Sequence, residues 1–259
     1  MNRLEASRDS SNIHFPITQS APRADLAPQV TAGVYSRGTA ESPQAFLAPL
    51  HYEPNYAYPL IIWLHGPGRN EGQLKRIMPC VSLRNYVSTS IRGTSPSVRG
   101  SNGSNCEVGF TWLQSQSHVA LAEHRLFEAV DAAQARFHIS PRRIFLAGID
   151  CGGTMAFRLA MNHPKRFAGV LSIGGEFPVG GAPLAQLAAA RGVPIFLASG
   201  RDSERYPAAA VCNNLKLLHS AGMDVTLRQY PCGHELWPQM LSDMDRWIME
   251  LIGGGADKG

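Results

Sequence analysis

The sequence Phe-Leu-Ala-Gly-Ile-Asp-Cys-Gly-Gly-Thr, residues 145–154, decides how this chain folds. An apolar run leads into a Gly-x-Asp-x-Gly turn, and apolar residues at helical spacing follow the turn. Gly148 and Gly152 let the backbone turn sharply enough to lift the side chain between them above a sheet. The residue at the apex is Asp150, so the sequence predicts a tight strand-to-helix turn that presents a carboxylate.

The sequence of this turn allows two other interpretations. A turn centred on Cys151 would present a thiol, which is a natural nucleophile, but it would place Ile149 where a small residue is needed. In the other interpretation Asp150 only caps the following helix, since Asp is favoured at the N-cap position. The strand, the two glycines and the helix all agree with Asp150 at the apex. Cys151 then follows the apex, where a backbone N–H normally helps to bind a developing oxyanion.

The composition indicates one soluble globular protein. With 259 residues, 44% of them hydrophobic and 17% charged, the chain is long enough for one large α/β domain. The net charge of +4 is spread along the chain without a basic run, so nucleic acid is not an expected partner. No apolar stretch approaches the length of a membrane span, and the start lacks the apolar core of a signal peptide. These features favour a cytoplasmic protein whose partner is a small-molecule substrate or ligand.

The cysteines do not form a recognisable framework. They are odd in number, scattered, and include no Cys-x-x-Cys: Cys80, Cys106, Cys151, Cys212 and Cys232. This pattern predicts neither disulfides nor a zinc site. No His, Cys or carboxylate cluster has metal-ligand spacing, so we expect no metal and no cofactor. Cys151 and Cys232 flank the expected site and are the candidates for reactive thiols.

The rest of the chain alternates strands and helices after an N-terminal tail. Residues 1–43 are predicted to be a flexible tail, and residues 44–259 the folded domain. Strands are predicted at 44–51, 60–64, 86–91, 144–147, 168–173, 194–199 and 225–230, and helices at 72–78, 117–137, 154–161, 208–220 and 238–252. This order predicts a mostly parallel sheet with helices on both faces. The polar loop 92–109 and the segment 174–192 are expected to shape a pocket. The interval from Asp150 to His234 is too short for an inserted helical cap domain.

Four loops should meet at the carboxyl ends of the strands, where such sheets place ligands. They are His65-Gly66-Pro67-Gly68, the turn at Asp150, residues 200–207, and residues 231–236 with His234. A histidine in a glycine-containing loop after the last strand is typical of a catalytic residue. The chain order of apex residue, acid and histidine is the one used by a large group of hydrolases.

These segments resemble the phospholipase/carboxylesterase (acyl-protein thioesterase-like) branch of the α/β-hydrolase superfamily, over about residues 44–252. The resemblance implies an α/β-hydrolase fold and hydrolysis of small ester-like substrates. By position, Asp150 holds the place of the nucleophilic serine and His234 that of the proton-transferring histidine. The family's acid should fall near Asp202, with Glu204 as the alternative, and we favour Asp202. The oxyanion-binding positions correspond to Gly66, Pro67, Gly68 and Cys151.

Three departures from the family pattern make an ordinary serine-esterase mechanism unexpected. Attack of Asp150 on an ester would give a high-energy anhydride. Pro67 has no N–H, and loss of one oxyanion donor costs about 3–4 kcal/mol of transition-state stabilisation. The usual acid spacing falls on Ser203, which is not an acid.

Three further alternatives therefore stay open. Gly-x-Asp-x-Gly also resembles dehalogenases and epoxide hydrolases, which use the carboxylate as nucleophile. Asp150 or His234 would otherwise act as general base to a water molecule. The third alternative is a binding protein that retains the fold without the chemistry. The sequence does not fix the substrate or the oligomeric state.

Overall fold

The strand that leads to Asp150 lies at the centre of a seven-stranded sheet. The computed structural model describes residues 43–98 and 108–254. In it the strand, β6, spans Ile139–Ile149 and is longer than the predicted segment 144–147. The predicted tail, residues 1–43, lies almost entirely outside the described residues.

The sheet is parallel except at one edge. Its strands are β1 (Gln44–Leu47), β2 (Tyr58–Leu64), β3 (Val87–Ile91), β6, β7 (Gly169–Ile173), β8 (Ile195–Gly200) and β9 (Val225–Tyr230). Their order across the sheet is β1-β3-β2-β6-β7-β8-β9, and only β1 runs antiparallel to its neighbour. The central strands β2, β3 and β7 are buried along their whole length, as the continuous apolar run of β2 predicted.

Helices cover both faces of the sheet. They are α1 (Leu74–Val81), α2 (Gln116–Arg136), α3 (Cys151–Asn162), α4 (Leu187–Ala190), α5 (Ala208–Ser220) and α6 (Pro238–Gly254). Because side chains alternate along a strand, β2 contributes to both layers. Leu60 and Ile62 pack in the core that includes α2 and α3, and Ile61 and Trp63 in the core with α1 and α6. The predicted mostly parallel sheet with helices on both faces is confirmed.

Two sequence predictions were wrong in detail. The segment 92–109 was expected to be a loop, but β4 (Ser95–Val98) and β5 (Val108–Thr111) form an antiparallel ribbon within and beyond it. The ribbon also pairs with a segment that is distant in the sequence, since Arg69 forms an antiparallel β-bridge with Phe110 of β5. The first strand ends at Leu47 rather than at residue 51, since the chain turns at His51, which has a φ of 57°.

None of the helices in the described ranges is both long enough and apolar enough to cross a membrane.

Gly152 sets how closely α3 approaches the end of β2. A Cβ added at Gly152 would lie 2.2 Å from the carbonyl oxygen of Leu64, and backbone atoms cannot move aside cheaply. We expect Gly152→Ala to lower the free energy of unfolding by about 1–3 kcal/mol, the usual cost of overpacking, in urea denaturation. Gly253→Ala in α6 is the matched control, because its Cβ would meet nothing within 4 Å. Equal stabilities of the two variants would contradict the close approach.

Candidate active site

Asp150 occupies the apex of the turn between β6 and α3 in a conformation rarely adopted outside glycine. Its φ is 53° and its ψ is −124°, and the backbone N–H donates to the carbonyl of Ile173 at 2.8 Å. Such a conformation costs about 1–3 kcal/mol and persists only where the surroundings enforce it. Asp150 lies at the N-cap position of α3, where its side chain meets the N–H of Cys151 but forms no N-cap hydrogen bond to the later N–H groups of the helix. Capping alone does not account for its contact with His234.

His234 contacts Asp150 directly. Its Nε2 lies 2.8 Å from Oδ2 of Asp150, and its Nδ1 lies 2.8 Å from Oγ of Ser203. Gly174, with a φ of +60°, lies against the ring, since a Cβ there would be 3.2 Å from Cε1 of His234. The ring is therefore held between two polar partners and a close backbone.

Ser203, and not Asp202, contacts Nδ1 of His234. In the loop after β8, Ser203 and Tyr206 point inward and are buried, whereas Asp202 and Glu204 are exposed. The backbone N–H of Tyr206 donates to Oγ of Ser203 at 3.0 Å, which fixes the inward turn. Asp202, the candidate that the sequence favoured as the acid partner of His234, is therefore wrong in this role. It faces solvent, because the hydrogen bond between Ser203 and Tyr206 turns Ser203 inward instead. The serine–histidine–carboxylate order of the family is reversed here, with the carboxylate on Nε2 and the hydroxyl on Nδ1.

Arg205 is the site residue that sequence reasoning missed. Its guanidinium approaches Oδ2 of Asp150 to 2.9 Å, and its side chain is 61% exposed against 15% for Asp150. Four of the five residues at positions 201–205 are charged, and nothing in their order shows which one turns towards Asp150. Arg205 therefore closes the site from the solvent side.

The surroundings of Asp150 favour its ionised form. Partial burial by itself raises the pKa of this carboxyl, but the hydrogen bond with His234 and the charge of Arg205 outweigh it. The backbone N–H of Cys151 acts in the same direction. The pKa of Asp150 consequently lies below its usual value, and the apex is an anion at neutral pH.

The loop at residues 65–68 does not offer its N–H groups to the apex. The N–H of Gly66 donates to Oε1 of Gln73 at 3.1 Å, and that of Gly68 to the carbonyl of Phe110 at 2.9 Å. Pro67 lies between them and has no N–H. These N–H groups are used to hold the loop, so they are not free for a substrate oxyanion.

His65 has a structural role at the start of this loop. It is fully buried, and its Nδ1 lies 2.8 Å from the carbonyl of Gly66. Its Nε2 accepts the N–H of Gly93 at 2.8 Å. A carbonyl can only accept, so Nδ1 carries the proton and Nε2 does not. Burial lowers the pKa of His65 to about 4, and the ring is neutral at physiological pH.

The two candidate cysteines lie in environments that favour the thiol. Cys151 is half-buried, and its Sγ accepts a hydrogen bond from the hydroxyl of Thr111 at 3.4 Å. Burial raises its pKa, and burial likewise raises that of Cys232. Because the thiolate is the nucleophilic form, neither residue is activated for attack.

The parallel sheet, the strained apex after its central strand and the histidine after its last strand define an α/β-hydrolase. The sequence agrees at the level of the family: residues 54–252 match the phospholipase/carboxylesterase family, and the chain belongs to it.

The chain is similar to proteins named as carboxylesterases. A probable carboxylesterase of Oryza sativa subsp. japonica is 24% identical over 220 residues, which cover 77% of this chain and 91% of the rice protein. The carboxylesterase of Bacillus cereus has a TM-score of 0.63 at 21% identity, covering 82% of this chain and 95% of that one. That of Mesorhizobium loti has a TM-score of 0.67 at 17% identity, covering 84% and 98%. At these identities the structures establish the fold alone.

Proposed function

We propose that this chain is a hydrolase in which the carboxylate of Asp150, rather than a serine hydroxyl, bonds to the substrate and His234 activates water. The observation that carries this proposal is the 2.8 Å contact between Nε2 of His234 and Oδ2 of Asp150 at the strained apex. Strained backbone of this kind is concentrated at functional sites. A carboxylate also needs no base to become a nucleophile, which suits an apex that is already ionised.

The chemistry of a carboxylate selects the substrate class. Attack on an acyl carbon would give an anhydride, whereas attack on a saturated carbon that bears a leaving group gives an ordinary ester. We therefore infer a small molecule with a halide or a strained epoxide oxygen on a saturated carbon. In the first step an oxygen of Asp150 forms a bond to that carbon, the carbon–leaving-group bond breaks, and its electron pair departs with the leaving group.

The second step releases the product by hydrolysis of the Asp150 ester. His234 takes a proton from water, and the oxygen attacks Cγ of Asp150. The resulting oxyanion is formed on Asp150 itself, beside the guanidinium of Arg205 and the N–H of Cys151. Collapse then expels the product alkoxide, which takes the proton from His234, and the carboxyl group of Asp150 releases its remaining proton to solvent, which restores the carboxylate.

Ser203 suits the change of protonation that this cycle requires. A hydroxyl has one donor and two acceptor positions, and one acceptor is used by the N–H of Tyr206. Oγ of Ser203 can therefore donate to Nδ1 of His234 or accept from it, so either ring tautomer is satisfied. A cavity of about 10 Å³ bounded by Gly174, Gly200 and His234 has the size of one water molecule.

The covalent step predicts a trapped intermediate. In His234→Gln the ester of Asp150 should form but not hydrolyse, because the base is missing. We expect an alkyl adduct on the peptide that contains Asp150, detected by mass spectrometry after incubation with short haloacids and epoxides. In a single turnover of the native protein in H₂¹⁸O, the label should enter Asp150 rather than the product.

Asp150→Asn is the matched control because it keeps the shape of the side chain and removes the nucleophile. We expect it to give no adduct and to lower turnover at least about 1,000-fold, as loss of a nucleophile does. Label that appears only in the product would instead identify direct attack by water, with Asp150 or His234 as a general base.

A second candidate function is a binding protein without chemistry. It is favoured by one observation, that Oδ2 of Asp150 is already contacted by both His234 and Arg205. Absence of turnover and adduct across the nitrophenyl ester, haloacid and epoxide panel, in the native protein and in Arg205→Gln, would support this candidate over the hydrolase.

A further inference from the structure

A second concave region lies at the opposite end of the sheet from Asp150. The cavity has a volume of about 260 Å³ and is lined by residues that include Glu53, Tyr56, Tyr58, Arg84, Asn85 and Met249. Tyr58 begins β2, and Met249 belongs to α6, so the cavity lies between the amino end of the sheet and the end of that helix. No step of the proposed reaction uses these residues.

Exposed apolar side chains are concentrated around this cavity. Seven large apolar residues are exposed in the described part of the chain, and two of them, Tyr56 and Met249, line the cavity. Two more, Leu50 and Leu83, lie beside it: the N–H of Leu50 donates to the carbonyl of Leu83, which precedes the lining residue Arg84. Single exposed apolar residues are ordinary, but their grouping around a cavity marks a binding surface.

The cavity also carries one charge of each sign. Glu53 and Arg84 are both exposed, and neither forms an ion pair with any residue in the described ranges. Asn85 is engaged elsewhere, since its Nδ2 donates to Oδ1 of Asp245 at 3.1 Å. Glu53 and Arg84 are therefore available to a ligand that has both an ammonium and a carboxylate group.

Two tyrosines supply an aromatic wall. The rings of Tyr56 and Tyr58 meet edge to face with centroids 4.7 Å apart. The hydroxyl of Tyr58 accepts the backbone N–H of Glu53 at 3.2 Å, which ties this wall to the segment that bears the carboxylate. An aromatic ring packs favourably against such a pair, and the thioether of Met249 is a second favourable neighbour.

We propose that this cavity binds a free amino acid with a single aromatic ring. Its carboxylate pairs with Arg84, its ammonium with Glu53, and its ring packs against Tyr56 and Met249. A volume of about 260 Å³ lies just below the usual range of about 300–1,000 Å³ for small-molecule sites, which suits a ligand of the size of one amino acid. The proposal does not depend on the reaction at Asp150.

Isothermal titration calorimetry of the full chain with L-phenylalanine tests this site. We expect saturable binding at one site, and at least tenfold weaker binding of 3-phenylpropionate and of 2-phenylethylamine, each of which lacks one of the two charges. Arg84→Gln and Glu53→Gln should each weaken L-phenylalanine binding at least tenfold. Lys216→Gln, an exposed substitution on α5, is the matched control and should bind as the native protein does.

Three results would overturn the proposal. The first is no saturable heat with L-phenylalanine at millimolar concentration. The second is equal binding of 3-phenylpropionate, which would show that the ammonium is not recognised. The third is loss of binding in Asp150→Asn with none in Arg84→Gln, which would place the ligand at the other end of the sheet.

Discussion

The double variant Asp150→Ser/Ser203→Asp is expected to hydrolyse short nitrophenyl esters about 100- to 10,000-fold faster, in kcat/KM, than Asp150→Ser alone. In the native chain Nε2 of His234 lies 2.8 Å from the carboxylate of Asp150, and Nδ1 lies 2.8 Å from the hydroxyl of Ser203. The exchange places the hydroxyl beside Nε2 and the carboxylate beside Nδ1. Loss of the acid from a serine–histidine–acid triad costs about 10⁴-fold in kcat, so supplying it should recover much of that factor.

Asp150→Ser alone is expected to create only weak esterase activity. The elbow glycines and His234 are in place, but the hydroxyl of Ser203 cannot stabilise an imidazolium as a carboxylate does. Pro67 also limits both variants, because a missing oxyanion donor lowers kcat by about 100- to 1,000-fold. The exchanged protein should therefore be an esterase well below a complete enzyme.

The exchange has a control in the same chain. Asp150→Ser/Asp202→Asn leaves Ser203 in place and alters only an exposed carboxylate, so it should match Asp150→Ser. Adding His234→Ala to the double variant should return hydrolysis to the level of Asp150→Ser/His234→Ala. A double variant that folds, by its circular dichroism, and shows no gain over Asp150→Ser would contradict the reversed arrangement.

Acidification should destabilise the fold through His65. Its pKa is lowered from 6.5 to about 4 by burial, so between these values the unfolded chain takes up a proton that the native chain does not. The stabilisation is complete above pH 6.5 and is lost as the pH falls to about 4. At about 1.4 kcal/mol per pKa unit, the loss is about 3 kcal/mol, a large share of a typical stability of about 5–15 kcal/mol.

Urea denaturation between pH 4.5 and 7.5 measures this loss. His65→Gln should reduce the slope of stability against pH, because glutamine does not titrate while its amide oxygen can still accept the N–H of Gly93. Asp150 contributes little to the slope in this pH range, because a carboxyl with a lowered pKa changes the free energy of unfolding mainly below about pH 4. Equal slopes in His65→Gln and the native protein would exclude His65 as the source.

Most of the fold was predictable because its signals are local. The buried runs of β2 and β8, the helix Ala208–Ser220 and the strand Val225–Tyr230 follow from apolar periodicity and turn residues, and two of these matched to the residue. The ribbon of β4 and β5 was not predictable, because its pairing depends on contacts with a segment far away in the sequence.

The site was predictable where the backbone dictates it and not where a loop does. Gly148 and Gly152 require the turn at Asp150, and the loop after the last strand positions His234 against it. In the loop 200–207, however, inward and outward positions depend on the hydrogen bond of Ser203 with Tyr206. Spacing alone could not distinguish Ser203 from Asp202, nor single out Arg205.

The inward and outward alternation of that loop has an evolutionary consequence. One residue inserted between Gly200 and Asp202 would move Asp202 into the inward position that Ser203 now holds beside Nδ1 of His234. A one-residue deletion there would bring Glu204 to the same place. The chain is thus a single change of loop length from placing a carboxylate beside Nδ1 of His234, whereas the serine–histidine–acid order would also require Asp150→Ser.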